Sequence, residues 1–275
     1  MQRSATELLD SLAGWPVEHV SAAVIADGKV RSIGDAERPY ELASVTKLLS
    51  AWGVLVAVEE GIFELDSEVG PDGATVRHLL SHAGGVGFAS RELERAPGVR
   101  RIYSSAGFEI LADVIAAEAE MDFASYLRQA VFAPLGMTGT SLEGSAGHGA
   151  VSTVRDLTVF AREILDPVLL HPVTVAEVIE VQFPELDGVV PGYGMQKPCP
   201  WGLGFEIRGR KNPHWTGASM PSDTAGHFGQ SGTYLWVHRP TKRAMVVLTD
   251  RDFGAWAKPL WAETNDAVWR KLDTE

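Results

Sequence analysis

Strand-like sequence is confined to the two ends of this 275-residue chain, and that placement narrows the folds open to it. Near the start, Val17 to Ala26 is rich in β-branched and small apolar residues, and Lys29-Val30-Arg31-Ser32-Ile33 follows Asp27-Gly28. Apolar runs on either side of Asp-Gly predict a hairpin. Near the end, Gly232 to His238 and Ala244 to Asp250 flank Arg239-Pro240-Thr241-Lys242-Arg243, a second hairpin. The two strand blocks most simply form one antiparallel sheet, with a helical lobe inserted between them. A cleft between sheet and lobe is the natural place for a site.

The expected class is α+β: one domain over residues 1–275, with a sheet lobe at about 1–43 and 200–275 and a helical lobe at about 44–199. Helices are expected over Thr6 to Ala13, Val45 to Glu60 with Gly61 as its C-cap, Val76 to Ser81, Ala106 to Ala119 and Phe123 to Phe132. Ser152-Thr153-Val154-Arg155-Asp156 opens another, with Thr153 and Asp156 spaced as a capping box. It runs to about Leu165 and stops before Pro167, and a last helix covers Ala255 to Leu272. Tyr40-Glu41-Leu42 reads as a third short strand. Phe183 to Asp223 is rich in Pro, Gly and aromatics, and reads as functional loops around a short strand at Leu203 to Ile207.

Charge and cysteine content remove several classes of function. Lys plus Arg is 24 and Asp plus Glu is 36, a net charge of −12. Such a surface repels a phosphate backbone and lacks the basic face that anionic membranes attract, so neither nucleic acid nor membrane is an expected partner. Cys199 is the only cysteine and reads as an inert loop thiol. The longest apolar stretch, about Leu48 to Val58, is too short to span a bilayer, and the first residues lack a signal-peptide pattern. A cytoplasmic location is expected. No cofactor motif and no metal site is expected: His78 and His82 lack the glutamate of H-E-x-x-H, and no calcium loop or phosphate loop appears. A G-x-S-x-G nucleophile elbow is absent as well. Nothing in the sequence sets an oligomeric state.

Three motifs carry chemistry. Ser44-Val45-Thr46-Lys47 starts the long helix, where residues three apart share a face and the amine can reach the hydroxyl. A serine needs a base to become a nucleophile. A lysine base must be neutral, and moving its ammonium to about 7 costs on the order of 4–5 kcal/mol. Desolvation or a neighbouring cation has to supply that. The plain alternative is an N-cap serine beside a solvated lysine. Tyr103-Ser104-Ser105 precedes a helix, and a partly ionised tyrosine near the pair would relay a proton. Gly226-His227-Phe228-Gly229-Gln230-Ser231-Gly232 borders the last hairpin, and its glycines allow close approach of backbone to a ligand. Trp201, Trp215 and Tyr193 are candidate cleft walls.

In that order the three motifs resemble the serine β-lactamase and penicillin-binding-protein superfamily, more closely its class C β-lactamase branch with esterase and D-aminopeptidase relatives. Val76-Arg77-His78-Leu79-Leu80-Ser81-His82-Ala83-Gly84-Gly85, Phe132-Ala133-Pro134-Leu135-Gly136-Met137-Thr138 and Gly232-Thr233-Tyr234-Leu235-Trp236-Val237 are similar to further signatures of that group. The resemblance runs from about residue 17 to the last helix. It implies a β-lactamase/transpeptidase-like fold, an antiparallel sheet flanked by helices plus a helical lobe. It also implies a serine hydrolase acting through an acyl-enzyme on a small ester, amide or β-lactam. Ser44 is then the nucleophile, and Lys47 and Tyr103 share general base and acid work. The amides of Ser44 and Gln230 form the oxyanion hole, and Ser105, His227, Gly229 and Gln230 contact substrate. A non-hydrolytic penicillin-binding or ligand-sensing protein of the same fold is the alternative.

Two positions depart from the group. Ser105 stands where an asparagine is common and offers one donor with a shorter reach. His227 stands where many members carry lysine and weakens fixed positive charge at neutral pH. Both shift the expectation from β-lactams toward simple esters.

Overall fold

The computed structural model describes residues 3–275. Ser4 and Glu7 cap each other reciprocally and start a single helical turn, α1 (Ala5–Leu8), which passes into a 3-10 turn over Asp10–Gly14. The surface helix expected over 6–13 is therefore two short pieces, and Leu8, Leu9 and Leu12 are buried. Strands β1 (Val20–Ala26) and β2 (Lys29–Ile33) are joined by Asp27 and Gly28, with φ of 51° and 72°. Positive φ at both central residues gives a turn whose twist matches that of the strands. β3 (Tyr40–Glu41) does not extend this hairpin, because it pairs with a segment far along the chain.

The helical region follows. It comprises α2 (Thr46–Glu59), α3 (Val76–Leu80), α4 (Ala106–Glu118), α5 (Phe123–Leu127) and α6 (Ala133–Leu135). A π-helical turn at Arg128–Phe132 interrupts what reads in sequence as one helix. β4 (Ser141–Leu142) and β5 (Ala150–Ser152) join β3 in a small antiparallel sheet. α7 (Val154–Leu165) begins with the Thr153 hydroxyl accepting from the Asp156 amide. The Asp156 carboxylate does not complete a capping box. It accepts instead from the Gly139 amide and the Thr140 hydroxyl, both at 2.8 Å, and so ties the helix to that loop. α8 (Pro172–Val178) and a hairpin of β6 (Gly188–Val190) and β7 (Gly194–Gln196) have no counterpart in the sequence reading.

The chain then returns to sheet through β8 (Glu206–Ile207), β9 (Ala225–Gly229), β10 (Thr233–His238) and β11 (Arg243–Thr249), and ends in α9 (Ala257–Asp273). The main sheet has the order β2-β1-β11-β10-β9-β8, antiparallel throughout. β1 pairs with β11 from Val20↔Thr249 to Ile25↔Ala244, which joins the two ends of the chain. Side chains alternate between faces along a strand. Ala23, Ile25, Leu235, Val237, Val246 and Leu248 therefore share a core with α2 and α7, while Ala22, Val24, Tyr234, Trp236, Met245 and Val247 pack with Trp261 and Trp269 of α9. Both faces are covered, which is why these strands read as unbroken apolar runs. α2 lies in the first core and is buried nearly all round. Among the described residues, no helix is long and apolar enough to cross a membrane.

Candidate active site

Ser44 lies in a 3-10 turn, Ala43–Val45, that leads directly into α2. The turn is held from the sheet side. Ser231 Oγ donates to the Glu41 carbonyl at 2.6 Å, and Thr233 Oγ1 donates to the Leu42 carbonyl at 2.9 Å. Gly229 allows this approach, since a Cβ there would sit 2.2 Å from the Leu42 oxygen. Gly229 thus sets the spacing between β9 and the serine turn, and it is the neighbouring Gln230 that lines the cavities on both sides of Ser44. The Gln230 carboxamide turns away to donate to the Phe253 carbonyl at 3.0 Å.

Lys47 follows one turn after Ser44 and is fully buried. Its Nζ is 3.3 Å from Ser44 Oγ, 3.0 Å from Ser105 Oγ and 2.8 Å from the Gly147 carbonyl. A neutral amine has two N–H bonds and one lone pair. Donation to Gly147 and Ser105 leaves the lone pair for the Ser44 O–H. Burial pushes the Lys47 ammonium down to about 7, against the pull of the Glu109 carboxylate. Of the two causes open at the level of sequence, desolvation is the one at work. Ser105 is part of this cage as well as of the cavity wall, and Gly147 packs so closely that a Cβ on it would meet Ser105 Cβ at 2.7 Å.

Tyr103 comes to the same point from the start of α4. Its ring centroid is 4.7 Å from Lys47 Nζ, and its hydroxyl is 3.3 Å from His227 Nε2. Although its side chain keeps some surface open, its dense surroundings push the phenol well above its usual value, the Ser44 hydroxyl acting in the opposite direction. The condition for a direct relay, a partly ionised tyrosine, is therefore not met: burial keeps Tyr103 protonated at neutral pH. His227 is buried, and that burial, with Lys47 beside it, pushes its pKa to about 3. Its Nδ1 lies 2.6 Å from the Phe228 carbonyl, so it carries the proton there and Nε2 accepts from Tyr103. No fixed charge stands at this position at neutral pH.

Several contributors lie outside the three motifs that carry chemistry. His82, also buried, accepts from the Ser104 amide through Nδ1 at 3.1 Å, which fixes the Tyr103-Ser104-Ser105 segment to the end of α3. Trp201, Trp215 and Tyr193 all belong to the second core, but of the three Trp201 alone lines the cavity at Ser44, standing edge-on to His82 and His227. Glu206 reaches the cavity wall from β8. Its carboxylate is 3.1 Å from Lys211 Nζ, 3.0 Å from His214 Nε2 and 2.7 Å from Trp215 Nε1. Burial would raise its pKa, but Lys211 and His214 hold it below the ordinary carboxylate range. A charged residue inside the apolar run Leu203 to Ile207 was the available signal.

Ser44 opens onto two cavities. One, of about 160 Å³, is enclosed by Tyr103, Trp201, Glu206, His227 and Phe228. The other, of about 550 Å³, is lined by Ser105, Glu41, Glu143 and His148. Among the described residues one trio of metal-ligand type comes together, Glu18, His19 and Asp250, at an exposed place, and none of the three lines these cavities. Cys199 is buried, which raises its pKa and agrees with an inert thiol.

A buried amine thus faces a serine across one helical turn, on the sheet-and-lobe fold of β-lactamases and transpeptidases, a family of serine hydrolases. A family model described as Beta-lactamase matches residues 17–267, and the chain belongs to that family. A beta-lactamase from Mycobacterium bovis is 50% identical, with a TM-score of 0.94 over 96% of this chain and 99% of that one. A simvastatin synthase variant from Aspergillus terreus (16% identical, TM-score 0.79, 98% and 94% covered) shares the fold, as does EstCE1, described as a hydrolase with promiscuous acyltransferase activity (17%, 0.77, 96% and 97%). Penicillin-binding protein 4* of Bacillus subtilis is 26% identical over 134 residues, 37% of this chain, so the match spans less than a third of that protein's length, 30%.

Proposed function

We propose that the protein hydrolyses small esters or amides through an acyl-enzyme formed on Ser44, in the manner of the class C branch. The observation that carries this reading is the buried Lys47 amine, at about 7, in contact with Ser44 Oγ. Neutral Lys47 takes the Ser44 proton as Oγ adds to the substrate carbonyl, and the amides of Ser44 and Gln230 receive the oxyanion. Each such donor is worth about 3–4 kcal/mol in the transition state. Tyr103, protonated at rest, gives its proton to the leaving group as the carbonyl–leaving-group bond breaks. The Lys47 ammonium then returns a proton to Tyr103, so acylation begins and ends with a neutral amine. In deacylation the same amine takes a proton from water as its oxygen adds to the acyl carbon, and the Lys47 ammonium returns that proton to Ser44 Oγ as the acyl–Oγ bond breaks, so the acid leaves and serine and amine are restored. His227 and Ser105 orient Tyr103 and Lys47. With His227 neutral, a neutral ester loses nothing at that position, while the carboxylate of a β-lactam finds no cation there.

A fluorophosphonate should label the wild type once, at Ser44, and should not label Ser44→Ala. Intact and peptide mass spectrometry read this directly. Undiminished labelling of the alanine variant rejects the mechanism. A stable adduct on wild type with substrate esters and no turnover makes the protein a covalent ligand sensor instead.

A further inference from the structure

Beyond Tyr103 lies a third cavity, of about 600 Å³, lined by Phe88, Glu94, Arg95, Arg100, Tyr103 and Val189 among others. It shares Tyr103 and Phe88 with the cavity at Ser44, so the two spaces adjoin at these rings. Its charge runs against that of the whole molecule, which is −12. Neither Arg95 nor Arg100 has a carboxylate partner among the described residues, and the Arg100 guanidinium has only a 4.0 Å contact to Met195 Sδ. The one acid in the wall, Glu94, packs against Gly87, where a Cβ would lie 2.5 Å from its Oε1.

The loop that carries these arginines is braced rather than free. Gly85, at φ 77°, lies under Arg95, and a Cβ on it would be 2.0 Å from the Arg95 carbonyl oxygen. The Glu94 and Arg95 amides both donate to the Gly85 carbonyl, and Val86 bridges to Leu93. At the other end, the Arg101 guanidinium donates to the carbonyls of Ser81, Gln182, Phe183 and Cys199 and is not available to a ligand. Phe88 and Val189, 58% and 46% exposed, give the same cavity an apolar wall. On the far side of Ser44 the wall is acidic, with Glu41 and Glu143, and would repel an anion.

We propose that Arg95 and Arg100 form a subsite for a bulky leaving group that carries an anionic oxygen group, carboxylate or phosphate, beside an apolar body. Guanidinium matches both oxyanions in geometry and stays charged. The size of the cavity suits a group the size of a drug-like ligand rather than a single small residue. The acidic groove opposite fixes the direction, since the anion faces Tyr103, the group that protonates the leaving atom. This assignment rests on the hydrolase reading above and adds the class of substrate.

The test uses butyrate esters of 7-hydroxycoumarin bearing a 4-methyl, a 4-carboxymethyl or a 4-phosphonomethyl group. Wild type should show kcat/KM about tenfold higher for one or both anionic esters than for the methyl ester, a size set by two partly exposed charge pairs. Added salt should shrink that ratio. Arg95→Gln with Arg100→Gln should bring the ratio to about one, while Arg95→Lys with Arg100→Lys should keep part of it. Comparing the two anionic arms identifies the oxyanion. A wild-type ratio near one, or a ratio that survives the double glutamine change, overturns the subsite. Fluorescence titration of 7-hydroxycoumarin-4-acetate into Ser44→Ala, with and without the two glutamine changes, reads the subsite without turnover. About tenfold weaker binding supports it and equal binding refutes it, even if no ester is hydrolysed and the hydrolase reading itself fails.

Discussion

An amine that removes a proton from serine has to be neutral when substrate arrives, and the cage around Lys47 makes it so by excluding water. With Lys47 at about 7, kcat/KM for a neutral ester should rise with pH and level off above an inflection near 7. Lys47→Arg should lower the rate of Ser44 acylation by about 10²–10⁴-fold, the usual worth of a positioned base, because guanidinium stays protonated. Stopped-flow acylation across pH checks both, and a flat profile in wild type would place the base elsewhere. The same shift carries a stability consequence of definite sign. The folded pKa lies below the unfolded one, so between about 7 and the ordinary lysine value the unfolded chain binds more protons, and stability rises with pH across that window. At this scale the spacing of Ser44 and Lys47 was readable, because a helix places residues three apart on one face. The Gly147 carbonyl and Ser105 hydroxyl that complete the cage were not, since long-range packing brings them there.

Among the elements, β8 shows how a strand can be visible in sequence while its purpose is hidden. Leu203 to Ile207 reads as a short apolar strand, and its paired part, Glu206–Ile207, does lie at the edge of the main sheet. The partners of Glu206 come from Lys211, His214 and Trp215, within a stretch whose composition signals only turns and loops. The Lys211 side chain is fully buried and makes further bonds to the Pro200 and Ile207 carbonyls. Removing the carboxylate charge leaves that ammonium enclosed without its counter-ion. Breaking a buried pair in this way costs about 3–5 kcal/mol, whereas replacing both partners costs far less. Glu206→Gln should therefore lower the urea midpoint sharply, and Glu206→Gln with Lys211→Met should recover much of the loss. Equal losses in the single and double variants would mean that the two charges do not depend on each other. The two hairpins, by contrast, were legible because Asp27-Gly28 and the apolar runs on either side of each turn state their own pairing locally, while β4, β5, β6 and β7 are too short to carry such a run.

For the molecule as a whole, the decisive pairing is that of β1 with β11, which closes the sheet across nearly the full length of the chain. The confinement of strand sequence to the two ends made that closure legible. The continuity of the first core did not show in the sequence, since it depends on which faces meet. In that core Leu235 and Val246 of the sheet share one contiguous cluster with Leu48 and Trp52 of α2, Leu111 of α4 and Phe160 of α7. A cluster that crosses from sheet to lobe couples their unfolding, because opening either side exposes the apolar surface of the other. Leu235 is fully buried at the centre of β10. Leu235→Ala should cost about 2–5 kcal/mol, the range for such a truncation. Hydrogen exchange with mass spectrometry, under conditions where global opening dominates, should show that loss equally in the amides of β1, β10 and β11 and in those of α2 and α4. The urea transition should stay single and move to a lower midpoint with an unchanged slope. Loss of protection confined to the sheet, with α2 retaining its wild-type value, would show that the helical lobe stands as a separate folding unit and that the shared cluster does not bind the two together.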